Sequence, residues 1–319
     1  MPPPGPPYGP PKAAPPPTAA TSSTPAATTP SPASPTHDDD RRLAQQLGVT
    51  TFDTWRRDAG TGIERLTLTD PDGAPYACWA AGLDRDKPLL VVCGGIVSVK
   101  EQWAPLLPLL RKLGFAAVVT ELPGVGEHDA PYRPGSWRTL SDLLDRLATR
   151  ADVSDTSFLA LSFSGHLALR TAAEDPRVRR VLTVGAPVAD FFTDTQWWPR
   201  VPRITVDTLT RLTGSADETE LRALLPEFAL GQDLLAGLDL PVRYVASARD
   251  EIIPPREQAL LRRALPDVKF KVFDDVHGSP AHLGAMRRWL FTQLLLLRIT
   301  RRRVTRQHTS PTPLSRRQP

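Results

Sequence analysis

Length, composition and charge narrow the class of this chain before any motif is considered. Its 319 residues are enough to bury a core that can hold a rigid catalytic site. Fourteen of the 35 prolines lie within residues 1–36, which indicates a segment too poor in apolar side chains to fold alone. Two cysteines, Cys78 and Cys93, argue against a disulfide framework and against a cysteine-ligated metal.

The positive charge belongs to the C-terminal end of the chain. The net charge is +4, but residues 291–319 hold seven arginines and no acidic residue, so the rest of the chain carries about −3. A nucleic-acid-binding domain needs basic charge on a folded face, so we expect no nucleic-acid partner. The arginine run is either a solvated tail, which is favoured, or a segment that binds polyanions.

Short apolar runs alternate with helical stretches from residue 40 to residue 298, the pattern of a mostly parallel sheet flanked by helices. The pattern predicts eight strands, at residues 63–68, 76–80, 89–93, 116–120, 157–161, 180–184, 243–247 and 269–273. We expect an antiparallel hairpin first, turning at residues 70–73, and parallel strands after it.

One helix is predicted before the first strand, at residues 40–55, and others between the later strands, at residues 103–113, 137–149, 166–174 and 256–264. Residues 189–240 are too long for a connection inside such a unit, so we predict a helical cap inserted after the sixth strand. The expected organisation is a disordered Pro-rich tail (1–39), a first core part (40–188), the cap (189–240), a second core part (241–297) and a disordered basic tail (298–319).

The sharpest chemical motif is LALSFSGH at residues 159–166, which leads from the fifth strand directly into a helix. Such a turn holds a nucleophilic serine on a strained backbone and needs small residues two before and two after it. Ser162 has Ala160 and Ser164 at those positions. With Ser164 as the nucleophile, the imidazole of His166 would crowd the helix, so we favour Ser162.

Acyl transfer by a serine also needs a base and an acid that orients the base. Asp250 follows the seventh strand and His277 the eighth, so the three residues occur in the order Ser, Asp, His. Taken alone, Asp250 could be an ordinary turn aspartate, and Glu251 competes with it for the role of the orienting acid. His277 taken alone could be a surface histidine. The order of the three residues along the chain favours the triad. No ligand cluster is apparent, so we expect no metal and no organic cofactor.

The third requirement is an oxyanion hole built from backbone amides. Residues 94–95 are glycines after the third strand, and they let the backbone turn its amides toward the site. We assign this role to the N–H groups of Ile96 and Phe163. Lys100 and Glu101 are expected to form an ion pair that braces this loop.

Aromatic residues open the predicted cap, and they form either an apolar acyl pocket or the cap's own core. They are Phe191, Phe192, Trp197 and Trp198. His282, five residues after His277, either contacts substrate or, in the favoured interpretation, makes a structural hydrogen bond where a helix begins.

Three stretches resemble the FrsA-like branch of the α/β-hydrolases: VCGGIVSVKE at 92–101, SFSG at 162–165 and AAEDPRV at 172–178. The likeness covers residues 88–290 and implies the α/β-hydrolase fold with the triad named above. Ala160 and Ser164 replace the glycines usual at the elbow. The branch includes esterases and at least one carbon–carbon bond hydrolase, and similar proteins occur beside polyketide and peptide biosynthesis enzymes.

We therefore expect a cytoplasmic serine hydrolase that cleaves an ester or thioester of a small-to-medium acyl substrate, free or bound to a carrier protein, in secondary metabolism. The same residues would serve a carbon–carbon bond hydrolase or an acyl cyclase, and the altered elbow leaves a non-catalytic scaffold as a third alternative. The apolar run at 294–297 is too short to span a membrane. The sequence leaves the oligomeric state open, and a dimer is compatible with it.

Overall fold

The computed structural model describes the backbone of residues 35–308 and the side-chain exposure of residues 40–297. The chain divides into two compact units, residues 1–44 and 45–319. Of the first unit the structure describes only residues 35–44, which begin helix α1 (Pro35–Asp58). The segments predicted as tails therefore lie outside the described residues up to residue 34 and from residue 309 onward.

The second unit is built on one eight-stranded sheet. Its strands are β1 (Glu64–Thr69), β2 (Pro75–Ala81), β3 (Pro88–Cys93), β4 (Ala116–Thr120), β5 (Asp152–Leu161), β6 (Val178–Val184), β7 (Val242–Ser247) and β8 (Val268–Phe273). They lie in the order β1-β2-β4-β3-β5-β6-β7-β8. The β1–β2 and β2–β4 pairs are antiparallel and the remaining pairs are parallel, so the predicted mostly parallel sheet is confirmed.

The central strands read as apolar runs because helices cover both faces of the sheet. Every residue of β4 and β7 is buried. Strand β8 lies at the edge, and from Val268 to Lys271 it alternates partly buried with exposed positions; Lys269 and Lys271 are the exposed ones. Lysines on an edge strand discourage pairing with another chain.

Helices pack on both faces of the sheet. They are α2 (Leu107–Lys112), α3 (Arg138–Leu147), α4 (Phe163–Glu174), α9 (Pro255–Ala264) and α10 (Leu283–His308). Buried leucines of α3, α4 and α9 share one apolar cluster, whereas those of α2 and α10 share a second one. Alternate residues of β5 belong to different clusters, so the two helix groups lie on opposite faces.

Several predicted boundaries differ from the structure, and helix α1 begins at Pro35, inside the segment 1–39 predicted as a tail. The helix expected at 103–113 is split into two 3-10 turns, Lys100–Gln102 and Ala104–Leu106, followed by α2. Pro105 and Pro108 cause the split, since neither has a backbone N–H to continue a regular helix. Helix α10 runs to His308, past the boundary at residue 298 predicted for the tail.

Between β6 and β7 the chain forms α5 (Asp190–Thr193), α6 (Arg203–Thr213), α7 (Glu218–Leu224) and α8 (Gln232–Ala236), with 3-10 turns at Trp198–Arg200 and Leu225–Phe228. Phe192 and Phe228 from this segment pack against His166 on α4. The segment occupies the residues predicted as a cap. Within the described residues, no helix is long and apolar enough to cross a bilayer.

Candidate active site

Ser162 lies on the sharp turn between β5 and α4. Its φ of 56° and ψ of −127° fall in a region that residues with a side chain rarely adopt. The turn needs small neighbours: Ala160 is buried, and a Cβ atom on Gly165 would overlap the side chain of Thr183. The backbone geometry is that of a nucleophile elbow.

The structure brings together the side chains of Ser162, His277 and Asp250. The Oγ atom of Ser162 lies 3.0 Å from Nε2 of His277. The Nδ1 atom of His277 lies 2.9 Å from Oδ2 and 3.0 Å from Oδ1 of Asp250. These partners fit a neutral imidazole that donates its Nδ1–H to the carboxylate and accepts the serine proton at Nε2.

Both acids after β7 hold the histidine loop, each in a different way. Oδ1 of Asp250 accepts hydrogen bonds from the backbone N–H groups of Ile252 and Ile253, at 2.9 and 2.8 Å, which fixes its carboxylate toward the ring. Oε2 of Glu251 accepts the backbone N–H of His277 at 3.0 Å. The sequence presented Glu251 as a competitor of Asp250, whereas the structure gives it a separate contact with the histidine backbone.

Gly185, directly after β6, contacts the candidate base and was missed in the sequence. Its φ is 58°, and a Cβ atom built there would lie 2.7 Å from Cε1 of His277. A glycine at the carboxyl end of a parallel strand marks a close backbone approach. A glycine directly after a predicted strand, Val184-Gly185-Ala186, was a signal for a close approach, but the sequence alone does not identify His277 as the partner.

The loop after β3 passes beside the nucleophile. A Cβ atom on Gly95 would lie 3.2 Å from Cβ of Ser162, so Gly95 and the following Ile96 are neighbours of the elbow. Phe163 is the first residue of α4, and its N–H therefore has no acceptor within the helix. Both amides lie on the elements predicted to form the oxyanion hole; their use in catalysis stays a prediction.

Ser164, which replaces an elbow glycine, is fully buried. Its hydroxyl lies 2.8 Å from the carbonyl oxygen of Cys93 and 2.9 Å from that of Leu161. The hydroxyl therefore links the start of α4 to the end of β3, where the glycine loop begins. The substitution adds a contact that glycine cannot make.

Lys100 is fully buried beneath this loop, among three carboxylates. Its Nζ lies 3.1 Å from Glu101, 3.2 Å from Glu121 and 2.7 Å from Glu127. Burial alone lowers the pKa of Lys100, but the carboxylates, Glu121 foremost, outweigh it and raise that pKa. The predicted partner Glu101 is present, and two further partners were missed because they lie far along the sequence.

The aromatic residues at the start of the β6–β7 segment pack mainly as core. Three are buried: Phe191, Phe192 and Trp198. The two phenylalanines contact Phe163 edge-on, and the Trp198 indole donates to the Phe191 carbonyl. The partly buried Trp197 donates its Nε1–H at 2.7 Å to the carbonyl of Ile252, two residues from Asp250. This packing favours the core interpretation for the three buried residues.

His282 makes the structural hydrogen bond that the sequence analysis favoured. Its Nδ1 lies 3.2 Å from Oδ2 of Asp275, and its ring stacks on Phe273 at 4.9 Å. The Asp275 carboxylate also accepts the backbone N–H groups of Val276 and Ala281, at 2.9 and 2.8 Å. The group braces the loop between His277 and α10.

The sheet order, the helices on both faces and the strained serine after β5 together define an α/β-hydrolase fold. Within that class the chain belongs to the esterase FrsA-like family, whose sequence profile matches residues 13–267.

Known proteins show the same relationship. The esterase FrsA of Citrobacter koseri is 24% identical over 243 residues, which are 71% of this chain and 57% of that protein. Esterase FrsA of Escherichia coli O157:H7 is 22% identical over 249 residues, 73% of this chain and 59% of its own length. This chain therefore spans less than two thirds of the curated relatives it matches.

Among solved structures, AbyA5 is 50% identical and superimposes with a TM-score of 0.79, covering 83% of this chain and 80% of AbyA5. The 2,6-dihydroxy-pseudo-oxynicotine hydrolase is 19% identical with a TM-score of 0.67, covering 80% of this chain and 74% of that protein. The second comparison concerns the fold alone.

Proposed function

We propose that the protein is a serine hydrolase that cleaves an ester or thioester of a small-to-medium acyl substrate. The observation that carries the proposal is the hydrogen-bonded series from Ser162 through His277 to Asp250, with distances of 3.0 and 2.9 Å. Membership of an esterase-like family supports it. From the sequence resemblance, we place the substrate in secondary metabolism, free or bound to a carrier protein.

In the first step, Oγ of Ser162 attacks the carbonyl carbon while Nε2 of His277 takes the hydroxyl proton. The Asp250 carboxylate stabilises the imidazolium that forms. The carbonyl oxygen becomes an oxyanion, which the N–H groups of Phe163 and Ile96 bind. The imidazolium then gives its proton to the leaving alcohol or thiol, and the acyl group stays on Ser162.

In the second step, a water molecule attacks the acyl–serine ester while His277 takes one of its protons. The second tetrahedral intermediate collapses, the acid leaves, and the proton returns to Oγ of Ser162. Both steps use the same oxyanion contacts. The strained turn at Ser162 and the hydrogen bond from Oγ to His277 orient the hydroxyl before substrate arrives.

The test uses p-nitrophenyl esters and acyl thioesters of increasing chain length in water enriched in oxygen-18. We expect turnover by the wild-type protein, no turnover by Ser162→Ala, and one labelled oxygen in the released acid. An unlabelled cyclic product would identify an acyl cyclase instead. Absence of turnover with every ester and thioester would favour the non-catalytic scaffold.

A further inference from the structure

An apolar pocket lies on the face of the sheet covered by α10. Leu159 and Leu161 of β5 and Leu182 of β6 form its floor. Its opposite wall is one face of α10, from Leu283 to Leu294, a length of about 16 Å at 1.5 Å per residue. None of these residues belongs to the candidate active site described above.

Three residues that line this pocket are close along the chain to the loops that meet at the candidate nucleophile. Leu161 directly precedes Ser162 on the elbow, and Leu283 begins the helix that follows the His277 loop. Trp103 is the third of these lining residues, and its Nε1–H donates a hydrogen bond to Oγ of Ser98 at 2.7 Å. The Ser98 side chain in turn lies against Gly94, in the loop assigned to the oxyanion hole.

The lining suits an alkyl chain. All of it is apolar except Arg287, an exposed residue at one side. The free volume is about 50 Å³. Since a cavity of about 150 Å³ holds the six carbons of benzene, this is room for about two methylene groups. Each methylene that leaves water for such a site gains about a fourfold factor in binding.

We propose that this pocket receives the alkyl chain of the acyl group, and that it selects short straight chains of about two or three carbons beyond the carbonyl. The proposal rests on the proposed function, since it needs the acyl carbonyl to sit at Ser162. A chain bonded to that carbonyl enters between Leu161, Trp103 and Leu283 and displaces water from apolar surface.

Alkylboronic acids test the pocket without knowledge of the natural substrate, because boron bonds to the serine oxygen as a tetrahedral mimic of the transition state. Methyl, propyl, pentyl and nonyl boronic acids are titrated against the full chain by calorimetry, and boron-11 NMR reports the tetrahedral adduct. We expect affinity to rise about fourfold per methylene up to propyl and to fall for pentyl and nonyl. Ser162→Ala is expected to form no adduct.

Three variants place the effect in the pocket. Phe291→Ala enlarges it and is expected to move the optimum toward pentyl. Leu283→Trp narrows the pocket and is expected to weaken propyl at least tenfold while methyl is unchanged. Leu283 is 43% exposed, so folding does not depend on it. Leu296→Ala, an exposed position of the same helix outside the pocket, is the control and keeps the wild-type profile.

The outcomes separate the two proposals. An adduct on Ser162 whose affinity ignores chain length, or a profile that Phe291→Ala and Leu283→Trp leave unchanged, overturns the pocket and leaves the hydrolase proposal intact. A wild-type protein that forms no tetrahedral adduct with any of the four acids overturns both.

Discussion

The imidazole of His277 packs directly against the backbone of Gly185. A Cβ atom at residue 185 would lie 2.7 Å from Cε1 of the ring, closer than carbon atoms approach without displacement. Since Asp250 and Ser162 hold the two ring nitrogens, the ring cannot move away and keep both hydrogen bonds. Gly185 therefore sets the space in which the candidate base lies.

Gly185→Ala is expected to lower kcat/KM by about 100-fold or more, because a displacement of about 1 Å at a catalytic group has that effect. It also costs about 1 to 2 kcal/mol of stability, since φ is 58°. Gly214→Ala is the matched control: its φ is 73°, and no atom lies within 4 Å of the added Cβ. That variant is expected to lose similar stability and keep full activity; equal loss of activity in both would contradict the account.

Asp250→Asn tests the orientation of the histidine. An amide no longer favours the tautomer that carries its proton on Nδ1, so kcat is expected to fall about 10³- to 10⁴-fold with little change in KM. Glu251→Gln is the companion variant, because Glu251 contacts only the backbone N–H of His277 among the bonds described for it. We expect less than a tenfold effect there. Similar losses for the two variants in steady-state kinetics would remove Asp250 from its assigned role.

Lys100→Met is expected to destabilise the fold by about 3 to 5 kcal/mol, because it leaves buried carboxylates without their cation. Lys87→Met provides the comparison: Lys87 forms a partly exposed pair with Asp84 at 3.2 Å and contributes less than about 1 kcal/mol. Urea unfolding at pH 7 measures both. A loss for Lys100→Met no larger than that for Lys87→Met would mean that the network does not support the loop.

His128 gives the fold a dependence on pH. It is 2% exposed, its ring stacks on Tyr76, and neither ring nitrogen has a hydrogen-bond partner among the described residues. Burial lowers the pKa of His128 to about 4. Between pH 6.5 and pH 4 the unfolded chain takes up a proton here and the folded chain does not. Folding stability is therefore complete above pH 6.5 and falls by about 3 kcal/mol toward pH 4 from this residue.

His128→Phe keeps the ring stack and removes the titrating group. We expect the variant to be more stable than wild type at pH 7 by about 1 to 3 kcal/mol, since two buried unpaired nitrogens are gone. The stability of the variant is also expected to fall less than that of the wild type on acidification. It still falls in part because of His166, since burial also lowers the pKa of His166 to about 4. Urea unfolding at several pH values from 7 to 4.5 gives the free energy of unfolding of both proteins. An equally steep fall of that free energy with pH in the two proteins would refute the assignment.

The sequence was sufficient for the features that depend on chain order. The apolar runs showed where three strands end, at Leu161, Ser247 and Phe273. Parallel strands bring their carboxyl ends to one edge of the sheet. The residues that follow these ends, Ser162, Asp250 and His277, were therefore identified together.

Contacts between distant elements could not be read in this way. Glu257 on α9 carries no local signal in the sequence, yet it is fully buried. Its carboxylate accepts backbone N–H bonds from residues 188–191 at the start of the β6–β7 segment. Nothing local distinguishes it from an exposed glutamate. Glu121 and Gly185 are comparable cases, since their partners are separated from them by 21 and 92 positions.

The most direct test of the central claim locates the nucleophile. A fluorophosphonate probe is reacted with the protein and with His277→Gln, and trypsin then releases residues 151–170, which contain both Ser162 and Ser164. We predict that fragmentation places a single adduct on Ser162, and that labelling slows at least 100-fold in His277→Gln. An adduct on Ser164, no adduct at all, or a rate independent of His277 would contradict the account.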